Sequence, residues 1–194
     1  MNEDTKIIQH IIDGDLAAFK ILIEKYQRLV WMIIRAKIHH KQETEDLSQE
    51  VFLKVYQGLP RFRGESGLAT WIGKIAHHTA LNYLRKKYHR CEYPIDFSNE
   101  STRSLTLDKL ECSRDPVIEL ESSNRAYLIE KSIASLPQHY ALIIRMFHLE
   151  ELNYQEIGEI LKLPAGTVKT HLFRARKLLK KNLETQYKPE EITA

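Results

Sequence analysis

The sequence predicts an all-α protein in which a linker joins two small helical domains. Helical periodicity dominates both parts of the chain, whereas the alternation typical of strands is scarce. Residues 91–122 lose this periodicity and are rich in serine, threonine, asparagine and aspartate, with two prolines. We therefore expect domains at residues 1–90 and 123–183, a linker at 91–122 and a polar tail at 184–194.

Three amphipathic helices are expected in the first domain. Asp15 is expected to cap the first helix, Thr44 to cap the second over about residues 44–57, and the third to cover about 69–90. The run 58–60, Gly-Leu-Pro, ends the second helix because proline cannot continue it. The predicted apolar stripes are Leu16, Phe19, Ile23, Tyr26 and Val30; then Leu47, Val51, Phe52 and Val55; then Trp71, Ile72, Ile75, Ala76, Thr79, Ala80, Tyr83 and Leu84.

Composition restricts the class of protein. The 194 residues are 43% hydrophobic and 28% charged, which is typical of a soluble globular chain. No apolar run approaches the roughly 18 residues of a membrane span, and residues 1–5 lack the basic start and apolar stretch of a secretory signal. We therefore expect a cytosolic protein. Cys91 and Cys112 each lack a second Cys or His at metal-binding spacing, which favours free thiols over a disulfide or metal site.

Two long segments of the chain contain basic residues but no acidic ones. These segments are residues 66–90 and 165–182, although the net charge of the whole chain is only +3. One such segment alone would be explained by an ordinary solvated helix face. Two of them indicate two contacts with a polyanion such as nucleic acid.

The sharpest local pattern lies in residues 154–181. Residues 154–161 predict a short helix with Ile157, Ile160 and Leu161 inward, and residues 162–164 predict a turn. A second helix follows from Ala165, and Gly158 lets the two backbones approach as in a helix-turn-helix. Val168, Leu172, Ala175 and Leu179 form its inner face. Its outer side chains, which such a helix presents to base edges and phosphates in a major groove, are Thr167, Lys169, Thr170, His171, Arg174 and Lys177.

Short motifs in both halves are typical of one protein family. In the first half they are Glu-Asp-Leu-Ser-Gln-Glu-Val-Phe-Leu-Lys-Val-Tyr at 45–56, Phe-Arg-Gly at 62–64, Thr-Trp-Ile at 70–72 and Asn-Tyr-Leu-Arg at 82–85. In the second half they are Ser-Leu-Pro at 135–137, Leu-Asn-Tyr-Gln-Glu-Ile at 152–157, Pro-Ala-Gly-Thr-Val-Lys-Thr at 164–170 and Arg-Ala-Arg at 174–176. They resemble regions 2 and 4 of the extracytoplasmic-function (ECF) sigma factors, over about residues 13–90 and 120–183.

The resemblance implies three sets of contact residues. The residues that face core RNA polymerase are Asp46, Gln49, Glu50 and Lys54. Those near the −10 promoter element are Arg63, Gly64, His78, Asn82, Arg85 and Lys86, with the loop 63–67 forming part of a pocket for a flipped base. Those in the −35 major groove are Thr167, Lys169, Thr170, His171, Arg174 and Lys177. Many members of the family carry Asn where this chain has His78, so the preferred −10 bases stay open.

The implied function is that of an alternative sigma factor, which is not an enzyme and needs no cofactor or metal. Its expected partners are bacterial core RNA polymerase, promoter DNA and an anti-sigma protein, which is often membrane-bound, with no small-molecule substrate. Three alternatives stay open: a conventional helix-turn-helix regulator that acts without polymerase, an enzyme acting on nucleic acid, and an adaptor that binds polymerase but no promoter. An enzyme would need a third ligand beside Asp46 and Glu50 or a nucleophile beside a base.

Overall fold

The computed structural model describes residues 3–90 and 124–186, where every regular element is helical. The helices are α1 (Glu3–Ile12), α2 (Leu16–Arg35), α3 (Lys41–Gly58), α4 (Leu68–Arg90), α5 (Asn124–Ala134), α6 (Gln138–His148), α7 (Tyr154–Leu161) and α8 (Ala165–Gln186), with a 3-10 turn at Leu59–Arg61. The predicted all-α class is confirmed. None of these helices is long and apolar enough to cross a lipid bilayer.

Several sequence predictions fall outside the described residues. These are both cysteines, the linker at 91–122 and most of the tail. The predicted domain boundaries therefore stay predictions. The described chain forms two compact units: the first holds residues 3–90 together with 158–163, and the second holds the remainder.

The first unit is built around α2, α3 and α4, which pack against one another in pairs, while α1 packs on α2. Its core is aliphatic, with Leu22, Leu29, Ile33 and Ile72 fully buried. Each such side chain contributes about 1.5–3 kcal/mol relative to an exposed one. The predicted stripe of α3 is confirmed, since Leu47, Val51, Phe52 and Val55 are all buried. Trp71 packs against the ring of Phe62, with ring centres 5.1 Å apart, which supports its expected packing role.

The start of α2 is confirmed, but its predicted apolar stripe is partly wrong. The Asp15 carboxylate accepts the backbone N–H groups of Ala17 and Ala18 at 2.8 and 3.2 Å, as an N-cap does. Leu16, however, is 70% exposed. The buried face runs instead through Ala18, Leu22, Tyr26, Leu29, Val30 and Ile33. This helix carries two overlapping apolar stripes, and only the packing against α3 and α4 decides which is core.

The expected cap of α3 is wrong. The helix begins at Lys41, after an extended His40, and Thr44 lies buried inside the first turns. The Thr44 hydroxyl lies 3.2 and 3.0 Å from the carbonyl oxygens of Ile38 and His40, to which it donates. The buried guanidinium of Arg35 donates to carbonyls of the same loop. These donors fix the loop before α3 and let the helix start three residues earlier.

The second unit is organised by α8, which packs against α5 and α6. Ile143, Ile144 and Met146 of α6 are buried, as are Val168 and Leu172 of α8. The inner face predicted for the second helix of the motif is confirmed by this burial and by that of Ala175, while Leu179 is half-buried. Side chains on the opposite face of α8 lie outside this core, and several of them are exposed.

Candidate polymerase and nucleic-acid interface

The residues expected to face polymerase lie on one exposed face of α3. Asp46, Gln49, Glu50 and Lys54 are all exposed, and spacings of three and four residues place them side by side. Leu53 stands among them and is 62% exposed. An apolar centre with a polar rim is the usual composition of a protein-binding surface. The predictions from sequence place Leu53 neither in the apolar stripe of α3 nor among the contact residues.

A cavity of about 350 Å³ between α3 and α4 joins two of the predicted sites. It is lined by Glu50, Lys54, Thr79, Asn82, Tyr83, Arg85 and Lys86. Lys54 donates to Glu50 at 2.5 Å and to the Thr79 hydroxyl at 3.1 Å, so its ammonium bridges α3 to α4. Residues expected to touch polymerase and residues expected to touch the −10 element thus share one depression. Among the described residues, no cluster of three or more His, Cys, Asp or Glu side chains is placed to hold a metal ion.

One exposed face of α4 carries the remaining −10 candidates. His78, Asn82 and Arg85 are all exposed and follow one another by four and three residues. Partial burial, together with cationic neighbours that include Arg85, lowers the pKa of His78. Its imidazole is therefore neutral at neutral pH, with one ring nitrogen donating and one accepting.

The loop before α4 holds Arg63 and Gly64. Both residues are exposed, and the Arg63 guanidinium lies 3.9 Å from the Glu65 carboxylate. Gly64 has a φ of +70°, a conformation that strains L-residues with a side chain. The loop thus projects a cation from a turn whose shape depends on glycine.

The basic end of α4 is tied to the start of α3 by an ion pair. Lys87 Nζ lies 2.8 and 3.1 Å from the two carboxylate oxygens of Glu43 and 5.6 Å from the centre of the Tyr83 ring. The hydrogen bond from Lys87 lowers the pKa of Glu43, and the bond to Glu43 raises the pKa of Lys87. This pair fixes the helix turn that presents Arg85 and Lys86.

We expect Glu43→Gln to remove a small stabilisation that depends on pH. The Glu43 pKa is depressed, so its contribution is present above the ordinary value of 4.5 and is lost as pH falls through the lowered pKa. The Lys87 pKa is raised, so its contribution is present below 10.5 and is lost as pH rises through the raised pKa. Because the pair is largely solvated, the loss at neutral pH is under about 1 kcal/mol.

Thermal unfolding of the full chain at neutral and acidic pH tests this. Wild type and Glu43→Gln should differ at neutral pH and converge in acid. Glu45→Gln is the matched control, since Glu45 pairs only distantly with Lys41, at 3.9 Å. Equal effects of the two substitutions would contradict a specific role for the Glu43–Lys87 pair.

Both helices of the predicted helix-turn-helix are present, with well-defined ends. Asn153 caps α7 by accepting the N–H groups of Gln155 and Glu156, while the Glu156 carboxylate accepts the N–H of Asn153, a capping box. At the other end Lys162 takes a φ of +57°, and the Leu163 N–H donates to the Gly158 carbonyl at 2.9 Å. This left-handed cap ends α7 and turns the chain into α8.

The structure brings most of the −35 candidates together on the outer face of α8. Lys169, Thr170, Arg174 and Lys177 are exposed, and Thr167 is half-buried at one edge. The Thr170 hydroxyl donates to the Gly166 carbonyl at 3.0 Å. Its oxygen lone pairs and methyl group are thus the parts left for an external partner.

His171 is placed differently from the other −35 candidates. Its ring lies 5.7 and 5.8 Å from those of His139 and Tyr140 at the start of α6, and it is half-buried. Burial and the charge of Arg174 lower its pKa, so its imidazole is neutral at neutral pH. His171 therefore packs α8 against α6 from the edge of the exposed face, and its predicted DNA contact stays a prediction.

Two arginines two residues apart on α8 have different surroundings. Arg176 lies 3.3 and 3.1 Å from the Nε2 atom of His148 and 5.2 Å from the centre of the Phe147 ring. Burial and the Arg176 charge lower the pKa of His148, which keeps that ring a neutral acceptor. Arg174 is exposed, and no hydrogen bond or ion pair holds it within the described residues. Arg176 therefore serves the fold, whereas Arg174 is available to a partner.

Phe173 is a further candidate contact residue, which the sequence analysis did not include. It is 69% exposed at the centre of the outer face of α8, between Thr170 and Lys177. Its helical spacing from the inner residues Leu172 and Ala175 places its side chain on the outer face of α8. Its exposure among basic residues makes it a candidate for contact with a partner.

Comparison with known proteins identifies the class to which this fold and these surfaces belong. Residues 22–90 match the model of sigma-70 region 2, and residues 127–179 match that of sigma-70 region 4. The chain therefore belongs to the sigma-70 family.

Full-length relatives narrow the class further. The chain is 31% identical to the RNA polymerase sigma-H factor of Pseudomonas aeruginosa, over 94% of each protein. It is 32% identical to the ECF RNA polymerase sigma factor SigW of Bacillus subtilis, over 92% of this chain and 95% of that one. It is 30% identical to the ECF RNA polymerase sigma-E factor of Escherichia coli K12, over 91% and 92%. Within the sigma-70 family, the chain is an ECF sigma factor.

Solved structures share the fold. CnrH, in complex with the cytosolic domain of CnrY, aligns with a TM-score of 0.57 and 14% identity, over 96% of this chain and all of that one. The sigma factor RpoE of Bartonella quintana, in complex with the anti-sigma factor NepR, aligns with a TM-score of 0.58 and 17% identity, over 87% and 98%. At these identities the likeness concerns the fold alone.

Proposed function

We propose that this chain is an alternative sigma factor that binds bacterial core RNA polymerase and directs initiation at specific promoters. The face of α3 docks on polymerase, the face of α4 and the loop 63–67 capture the −10 strand, and α8 enters the −35 major groove. One observation carries the proposal: regions 2 and 4 of one family occur in order in a single chain, each with an exposed face of the required chemistry.

The proposed mechanism needs no catalysis, cofactor, metal or small-molecule substrate. Capture of an unstacked base costs a few kcal/mol, which contacts from the loop and the cavity residues Asn82, Arg85 and Lys86 would offset. Binding energy for the single strand thus replaces nucleotide hydrolysis as the source of strand opening.

We further propose control by an anti-sigma protein in the bacterial cytoplasm. Two proteins of the same fold have been solved as complexes, one with the cytosolic domain of CnrY and one with the anti-sigma factor NepR. A membrane-bound partner of this kind would hold the chain at the inner membrane until a stress or other signal releases it. The exposed face of α3 is the surface for which such a partner would compete.

Transcription of genomic fragments by sigma-free core polymerase, with and without the chain, tests the proposal. New transcripts that start at fixed sites are expected, and their upstream sequences give both promoter elements. Binding of DNA by the chain without new initiation would instead favour a conventional helix-turn-helix regulator. Polymerase binding without promoter recognition would favour an adaptor.

Phe173→Ala is expected to weaken −35 binding by removing an apolar contact. An exposed phenylalanine in a major groove contacts the methyl group of thymine, and removal of one such contact costs about 1–3 kcal/mol. The salt dependence of binding should not change, because no charge is removed. Binding of fluorescent duplexes at several salt concentrations checks this. An unchanged affinity for every duplex tested would remove Phe173 from the site.

A further inference from the structure

Gly166 is the second residue of α8, and no described part of the protein requires glycine there. Positive φ values among the described glycines occur at Gly14 and Gly64, not at Gly166. A Cβ atom built on Gly166 would meet no atom within 4 Å. Glycine loses more conformational entropy than alanine on entering a helix. The residue therefore weakens the start of α8 with no compensating contact inside the described chain.

Gly166 lies in a groove at the first turns of α7 and α8. The groove measures about 360 Å³, and Gln155 and Lys169 are two of its walls. Both of these side chains are exposed, and residues 165–182 contain no acid. Gly166 contributes only backbone to the lining, which is mostly apolar, and Gln155 and Lys169 contribute an amide and a cation. Amides, cations and backbone groups are the partners that position DNA phosphates.

We propose that Gly166 is a clearance residue, over which the sugar–phosphate backbone of one strand of the −35 duplex passes. A side chain would occupy the space that the strand needs between Gln155 and Lys169. This inference rests on the proposed function, because it assumes that α8 enters the −35 major groove. Clearance differs from a base contact in one respect. The sugar–phosphate backbone carries no sequence information, so loss of clearance should weaken binding to all DNA sequences alike.

The test compares two quantities, thermal stability and promoter affinity, which Gly166→Ala should change in opposite directions. Gly166→Ala should raise the midpoint of thermal unfolding of the full chain by about 1–3 °C, since alanine favours the helix. The same substitution should weaken binding of the holoenzyme to a promoter duplex found by transcript mapping. We expect a loss of about tenfold, the equivalent of one good contact. Gly166→Val should weaken binding further, and its unfolding midpoint reports whether the helix is intact.

Thr185→Ala is the matched control on the same helix. It also replaces a residue by a better helix former, with no change of charge, far along α8 from the groove. It should raise the unfolding midpoint and leave promoter binding unchanged.

Three results would overturn the clearance role. Normal binding by Gly166→Ala, while the wild-type holoenzyme initiates normally, would remove the role and leave the proposed function intact. A loss confined to one −35 base would make position 166 a base contact instead. Failure of the wild-type holoenzyme to bind or initiate would overturn the proposed function and the clearance role together.

Discussion

Arg174→Ala should weaken binding to the −35 element by about 1–3 kcal/mol, roughly 5- to 150-fold. Arg174 is exposed on the outer face of α8 and is not held by the described parts of the chain. Its removal should also flatten the dependence of log affinity on log salt by about 0.9 for each phosphate that the arginine neutralises. Titration of a −35 duplex at several salt concentrations, with the full chain, measures both quantities. Polymerase affinity should not change.

Arg176→Leu is the matched control, because it removes the same charge two residues away. The Arg176 guanidinium is held by His148 and stacks over Phe147, so its loss should cost about 0.5–1 kcal/mol of stability. The salt dependence should be little altered. If the two substitutions flatten the salt dependence equally, the distinction between a DNA-binding and a structural arginine is wrong.

This distinction illustrates what the sequence could not supply. The motif Arg-Ala-Arg at 174–176 is equally basic at both ends, and only the position of His148 on another helix assigns the second arginine to the fold. Lys54 is similar: the sequence placed it on the face of α3, and the structure adds its bond to Thr79 on α4. Partners that are distant in sequence decide the role of a charged side chain.

Helix ends were predicted correctly where neighbouring residues in the sequence determine them. Aspartate before an apolar periodic run predicted the cap of α2, and the run Gly-Leu-Pro predicted the end of α3 at Gly58. The prediction failed at Thr44, because a threonine hydroxyl can accept from an amide at a cap or donate to a carbonyl inside a helix. The loop geometry set by Arg35 selects the second option. No prediction was made for α1, whose Asp4 binds Lys25 and Tyr26 of α2.

The exposure of the candidate contact residues was predicted more completely than the packing. The four docking candidates are all exposed on α3, and the −10 candidates are exposed on α4 and the loop before it. For the candidates on helices, exposure follows from their spacing relative to the apolar stripe. Phe173 and Leu53 were assigned neither to an apolar stripe nor to a set of contact residues. They are 69% and 62% exposed, on the same faces as the predicted contact residues, which makes them candidates for contact with a partner.

Asp46→Ala combined with Glu50→Ala is expected to weaken binding to core RNA polymerase by at least about tenfold. Truncation of a charged side chain that becomes buried at a docking surface costs about 2–5 kcal/mol of binding free energy. Both carboxylates are exposed in the free chain, so its unfolding midpoint should move little. Binding of the −35 duplex through α8 should persist in the same variant. Competition for labelled core polymerase, together with −35 duplex binding by the same full-length variant, separates the two activities.

Two further variants make the docking assignment specific. Asp13→Ala combined with Glu24→Ala removes the same charge from exposed positions outside α3 and should leave polymerase affinity unchanged. Leu53→Ala removes no charge, yet it should also weaken docking, because an apolar centre within a polar ring carries much of the binding energy at such surfaces. Retention of full polymerase affinity by both α3 variants would move the docking surface away from this face. If the control pair lost as much polymerase affinity as the α3 pair, the effect would come from long-range electrostatics and not from a specific contact.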